Sequence, residues 1–255
     1  MSELKQRRLD GFLWLTIDRQ ERRNALSPAL MQVLADAIRD ANVDRTLRGI
    51  VLTGAGDRAF CAGADLQGDS FEFDYAEPSL PYANLLRAAH HSCLPLIARV
   101  GGACVAGGMG LLAMCDMAVA ASTARFGLPE VKVGVFPMQV LVLLQRIMSA
   151  RSLYEICYTG TLFDAERALQ LGLVNHVVVP DELDSQLEVI LSQLRAASPS
   201  AIRRGRYAMR AIESMSFHEA IAFMESQIGL CSMTEDSREG ITAFAEKRAP
   251  IWTGK

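Results

Sequence analysis

Two glycine-rich segments hold the residues best placed for chemistry. Residues 104–116 read CVAGGMGLLAMCD, and residues 59–66 read AFCAGADL. In the first, Gly107 and Gly108 stand just before a short apolar run, LLAMC, that reads as a buried helix. A glycine pair at that place leaves backbone N–H groups open at the positive end of a helix dipole, which suits a negative oxygen. In the second, small residues follow a strand at 49–53 and let a ligand approach the main chain. Two such loops can each give one N–H to a single oxyanion. With one loop alone, tight packing of strand on helix would be the better reading of such glycines.

Other constellations fit less well. Gly108-Met109-Gly110-Leu111-Leu112-Ala113 matches the dinucleotide pattern G-x-G-x-x-[GA], and Glu130 lies 20 residues beyond Gly110. That motif needs its acid at the end of the next strand, yet the strand MAVAA (117–121) stops well before Glu130. No P-loop and no G-x-S-x-G is present. His90 and His91 are adjacent and would point about 100° apart on a helix, which makes poor metal ligands, and no metal is expected. Arg203, Arg206 and Arg210 share one helical face, read as solvated or packed between helices, with phosphate binding the lesser option.

The elements that position these residues follow from spacing. FLWLTI (12–17), GIVLT (49–53), LIARV (96–100), CV (104–105) and MAVAA read as strands, and Ser27-Pro28 opens a helix between the first two. Beyond Pro137 the pattern turns helical over 138–148, 151–159, 164–171, 181–196, 200–214, 217–230 and 236–247. VNHVVV (174–179) is expected as the one late strand. The fold class is therefore α/β, with a core over 1–198 and a helical C-terminal region over 199–255. Residues 67–81 lack periodicity and read as an exposed loop, either a spacer or a cover for substrate.

Composition narrows the function classes. Of 255 residues half are apolar and 22% charged, with a net charge of −3, so nothing favours nucleic acid or anionic lipid. The apolar run at 104–116 is far short of the roughly 20 residues that cross a bilayer. Six scattered cysteines without a C-x-x-C pair suit a reduced compartment, and no export signal leads the chain, so a cytoplasmic protein is expected.

Over nearly its whole length the sequence resembles the enoyl-CoA hydratase/isomerase (crotonase) family. The matching stretches are ERRNALSPAL (21–30), AFCAGADL (59–66), GGMGLLAMCDMAVA (107–120), FGLPEVKVGVFP (126–137), TGTLFDAERALQLGLVN (159–175) and REGITAFAEKR (238–248). The resemblance implies a crotonase-like spiral of β-β-α units with a helical C-terminal region, assembled as a homotrimer or dimer of trimers. It implies an acyl-CoA substrate, with coenzyme A part of that substrate and no separate cofactor. By resemblance the N–H groups of Ala64 and Gly107 hold the thioester oxygen and Glu130 is the catalytic acid/base. Ala62, Asp65 and Leu66 line the adenine pocket, Arg22 lies near the CoA phosphates, and Phe244 and Lys247 reach CoA, often from a neighbouring subunit.

Two departures shape the expected chemistry. Standard hydratases carry a second glutamate three positions after the oxyanion-hole glycine, where this chain has Gly110. The glycine-rich stretch after Pro137 is replaced by Met138-Gln139-Val140-Leu141, which changes the floor of the acyl pocket. A single acid leaves hydration of a 2-enoyl-CoA or migration of its double bond, and a non-catalytic acyl-CoA binding protein is a third possibility. A branch similar to 3-methylglutaconyl-CoA hydratase also carries glycine there, which favours hydration.

Overall fold

Short apolar runs bounded by turn formers become strands that alternate with helices in the computed structural model, which describes residues 3–65 and 76–255. The chain runs through β1 (Leu4–Leu9), β2 (Phe12–Ile17), α1 (Pro28–Val43), β3 (Gly49–Gly54), β4 (Ala59–Cys61), α2 (Pro81–His91), β5 (Leu96–Val100) and β6 (Ala103–Val105). It continues through α3 (Gly107–Ala113), β7 (Met117–Ala121), β8 (Arg125–Gly127), α4 (Met138–Leu144), α5 (Ala150–Thr159), β9 (Phe163–Asp164), α6 (Ala165–Gln170) and β10 (His176–Val178). Four helices close it: α7 (Leu183–Ala196), α8 (Pro199–Ala211), α9 (Phe217–Ser232) and α10 (Glu235–Ala245).

The strands form two sheets. The larger has the order β1-β2-β3-β5-β7-β10, and the smaller β4-β6-β8-β9. From β3 to β8 the chain alternates between them, one strand in each before every return, so successive turns stack as the expected β-β-α spiral. Pairing is parallel except at the outer pairs β1–β2 and β8–β9. A parallel sheet covered on both faces needs apolar residues on both, which is why GIVLT and LIARV read as nearly unbroken apolar runs. Leu15, Leu52, Ala98 and Ala118 point into the main core with α1, α2 and α3. Phe12, Val51, Ile97 and Val119 point the other way, under Leu183, Leu187, Ile190 and Leu191 of α7.

Local chemistry sets the element ends. Ser27 caps α1 by accepting from the Leu30 N–H at 3.1 Å, with Pro28 as the first helical residue. Asp164 caps α6 through the Arg167 N–H at 2.8 Å, and Ser198 caps α8 through Ala201 N–H at 3.2 Å. Several expectations need correction. The helix expected at LLAMC starts earlier, at Gly107, and the one expected over 138–148 stops at Leu144. Strand β1 was not expected, because an edge strand with one buried residue has no apolar face to show. VNHVVV is not alone among late strands, since the two-residue β9 precedes it.

Asp116, at the end of the opening stretch, ties α8 to the core. Its carboxylate accepts from the Leu96 N–H at 2.8 Å, from Arg206 Nε at 2.7 Å and from Arg210 Nη2 at 3.1 Å. Arg206 is buried and also donates to the carbonyls of Ala89, at 3.1 Å, and Ser92. Arg203 donates to Asn42 O at 2.9 Å and to Asp44 O. The arginine face is thus an inter-helix joint. Replacing Arg206 with Met takes the donor from the buried Ser92 carbonyl, leaves Ala89 O with only the Ser92 N–H at 3.3 Å and removes one partner of Asp116, and should lower stability by about 3 kcal/mol. Urea unfolding at neutral pH measures it, and a midpoint equal to wild type would contradict this role.

Candidate active site

Three parallel neighbours of the smaller sheet, β4, β6 and β8, end side by side. Parallel strands bring their carboxyl ends to one edge, so the segments that follow them converge there. These are Ala62-Gly63-Ala64 after β4, Ala106-Gly107 after β6, and Leu128-Pro129-Glu130 after β8.

The first two loops touch backbone to backbone. A Cβ on Gly63 would lie 3.0 Å from Gly107 N and 2.7 Å from Ala106 Cβ, and a Cβ on Gly108 would lie 2.2 Å from the Cys61 carbonyl oxygen. Glycine at these positions is therefore a condition of the contact. The β4 loop is fixed from the other side: Leu26 N–H donates to Gly63 O at 2.8 Å, Asp65 N–H to Leu26 O at 3.0 Å and Ala62 N–H to Arg23 O at 3.1 Å. Ala106 is held in a conformation costly for alanine, φ 51° and ψ −126°, with its N–H donating to Gly127 O at 2.9 Å. The N–H groups of Ala64 and Gly107 donate to no other described residue, and both residues are only half-buried. Gly107 is the first residue of α3, so its N–H belongs to the positive end of that helix.

Glu130 stands in a short 3-10 turn, Pro129–Val133, on the third segment. Its Oε2 is buried and has no hydrogen-bond partner among the described residues. Burial raises its pKa above the usual glutamate range, opposed only by its own backbone N–H. The neighbouring thiols are inert: burial pushes Cys61 up to about 12 and Cys157 up to about 11, so neither is a thiolate at neutral pH. Among the described residues no group of three or more His, Cys, Asp or Glu side chains could hold a metal ion.

Two N–H groups without an acceptor among the described residues and one desolvated carboxyl thus lie at the edge of a β-β-α spiral. The Enoyl-CoA hydratase/isomerase family profile matches residues 8–255. The chain belongs to the enoyl-CoA hydratase/isomerase family. It is 32% identical over 244 residues to the crotonyl-CoA hydratase of Syntrophomonas wolfei, covering 94% of each chain. It is 30% identical over 250 residues to the (E)-benzylidenesuccinyl-CoA hydratase of Thauera aromatica, covering 94% of this chain and 95% of the relative. An enoyl-CoA hydratase from Mycobacterium smegmatis superposes with a TM-score of 0.91 at 34% identity, covering 99% of both chains.

Within this hydratase/isomerase fold the sequence-derived candidates divide. Ala64, Gly107, Gly110 and Glu130 gather around the three strand ends, together with Ala62. Asp65 follows directly, but its carboxylate pairs with Arg19 Nη2 at 2.9 Å. Arg22 is exposed on the turn whose next carbonyl holds Ala62, and Leu66 falls outside the described residues. Met138 does not face Gly110: it is 69% exposed, and buried Val140, two residues on, has the side chain that does. Phe244, 87% exposed, lies in the last turn of α10, and Lys247, with φ 55°, lies two residues beyond its end; α10 packs mainly on α8 and α9.

Two residues near the site were not singled out from sequence. Asn24 is buried with φ 56°, and its side chain donates to Ala55 O and Ala59 O at 3.0 and 2.7 Å while accepting from Arg19 N–H at 3.0 Å. Asparagine's tolerance of the left-handed region in RRNAL was the available signal. Tyr82, on the first turn of α2, gave none, because a lone tyrosine after proline has no pattern.

Two outcomes follow. Gly108→Ala should cost about 1–3 kcal/mol, since the added methyl meets a carbonyl and not a movable side chain; denaturant titration reads it. Glu130 binds a proton in the native state that the unfolded chain has already released, so stability falls as pH rises from the ordinary glutamate range through the raised native pKa. Glu130→Gln removes that penalty and should raise Tm at pH 8 by about 2 °C, with no gain at pH 4.

Proposed function

We propose that this protein adds water to the double bond of a 2-enoyl-CoA thioester. The thioester oxygen sits between the N–H groups of Ala64 and Gly107, which meet it at the place where negative charge grows during the reaction. Glu130 takes a proton from a water molecule as its oxygen attacks C3. The π electrons move to the thioester oxygen, giving an enolate, and the same carboxyl then returns the proton to C2, so a 3-hydroxyacyl-CoA forms and Glu130 ends ionised. The observation that carries this reading is the orphaned, desolvated Glu130 oxygen on the segment beside the two free N–H groups. The hydratase names of relatives at 30–32% identity support the direction of the chemistry.

Ala62, Asp65 and Leu66 would line the adenine site, Arg22 would approach the CoA phosphates, and Met138 would lie toward the acyl end. Phe244 and Lys247 fit a role on CoA bound by an adjacent subunit, which goes with a homotrimer or dimer of trimers built through residues 199–255. Exposed Phe217, Ile228, Met233 and Ile241 support such burial of the C-terminal helices. No separate cofactor enters this scheme. No helix among the described residues is long and apolar enough to cross a membrane, which agrees with a cytoplasmic enzyme. Relatives at nearly equal identity carry an aliphatic and an aromatic acyl group in their names, so similarity does not select the acyl chain.

Gly110 supports a second reading. With one carboxyl, Glu130 can instead move a proton between C2 and C4 of the acyl chain, shifting the double bond without water. Crotonyl-CoA and a 3-enoyl thioester in isotopic water separate the two. A 3-hydroxyacyl product carrying solvent oxygen is expected, while double-bond migration alone would establish the isomerase. Glu130→Gln should lower turnover by at least about a thousandfold with CoA thioester binding retained. Binding without turnover in the wild-type protein, across a panel of enoyl-CoAs, would mark an acyl-CoA binding protein. The low-pH limb of kcat/KM should have its midpoint above the ordinary glutamate pKa of about 4.3, because Glu130 must start as the carboxylate and its pKa is raised. A midpoint at or below that value would assign the base to another group.

A further inference from the structure

The space beside Gly110 is taken by another side chain. A Cβ built on Gly110 would lie 2.0 Å from the Tyr82 hydroxyl oxygen, 3.2 Å from its Cζ and 3.3 Å from Val140 Cγ2. That hydroxyl donates to the carbonyl of Gly107 at 2.6 Å, on the residue whose own N–H is one of the two free donors. The ring packs against the main core, with α2 laid along α1. Tyr82 comes from a different β-β-α turn than α3, so the contact joins two parts of the spiral at the mouth of the site.

The geometry points to Tyr82 as a positioning residue of the oxyanion hole, which orients the Gly107 peptide through its carbonyl and reserves position 110 for glycine. The inference rests on the enolate chemistry proposed above. A hydrogen bond to Gly107 O fixes the peptide that follows Gly107, and with it the rotation of α3's first turn about the Gly107 Cα. An N–H donor that must meet a developing charge loses much of its effect when it can swing away. The hydroxyl is suited to remain a donor: burial, then the nearby Cys61, Cys104 and Glu130, hold its pKa well above that of free tyrosine. The hydroxyl also lies within electrostatic reach of Glu130, so the ring is close to the acid as well as to Gly107. No carboxylate can be placed at 110 while the ring stays, so the single-acid site is built in by two residues together and not by Gly110 alone.

A double-mutant cycle with crotonyl-CoA and a 3-enoyl thioester as probes tests this. Tyr82→Phe keeps the ring and should lower kcat about tenfold with KM changed less than twofold, as loss of a hydrogen bond felt mainly in the transition state. Gly110→Ala should lower kcat about a hundredfold in the presence of the hydroxyl but only about fivefold in the Tyr82→Phe background, where the added methyl meets no oxygen. Circular dichroism and thermal melts confirm that each variant is folded. If the two losses multiply, or if Tyr82→Phe raises KM and leaves kcat alone, the positioning role is overturned while the hydratase reading stands. A wild-type protein that converts neither probe overturns both.

Discussion

The site depends on one contact, the approach of two stretches of main chain with no side chain between them. Gly63 lies against Gly107, and Gly108 against the carbonyl of Cys61, because each lacks the atom that would separate them. Parallel pairing of β4 with β6 delivers both loops to the same edge, and a helix dipole adds to one of them. What results is a pair of amides that no other described residue accepts from. Such donors cost free energy in a folded chain unless water or a ligand meets them, and the half-exposed edge of a sheet is where that cost is small.

Glu130 applies the same logic to an acid. A carboxyl whose oxygen is buried without a partner is a poor contributor to stability and a good proton carrier. Its basicity is raised by removal of water and not by a neighbouring anion. Tyr82 fills the space beside Gly110 with a group that stays neutral, so that position offers no second acid.

Much of this was legible in the residues, and the losses have physical reasons. The apolar strands, the serine and aspartate caps and the two glycine loops each rest on local chemistry that a linear sequence carries. Three-residue strands such as β4 and β8 are too short to show a period, yet they hold the site, because their order comes from pairing partners more than 20 residues away. The family's acid and its amides were read from motif and resemblance. Tyr82 and Asn24 were not, since their roles exist only where α2 meets α3 and where a turn meets β4. Helix phase, set by tertiary packing, turns Val140 toward Gly110 and leaves Met138 exposed, which the linear pattern of Met138-Gln139-Val140-Leu141 does not show.

The Asp116 joint bears on how the chain is made. A ribosome releases β5, β7 and the Asp116 carboxylate some ninety residues before Arg206, and until α8 arrives the Ser92 carbonyl and the Asp116 carboxylate lack their arginine donor. The emerging α/β layers therefore wait with an unsealed seam, and the C-terminal helices act as a latch closed at the end of synthesis. The helix that presents Gly107 ends just short of this seam, at Ala113. Closure of α8 on Asp116 therefore braces the chain just beyond the helix whose first residue is Gly107.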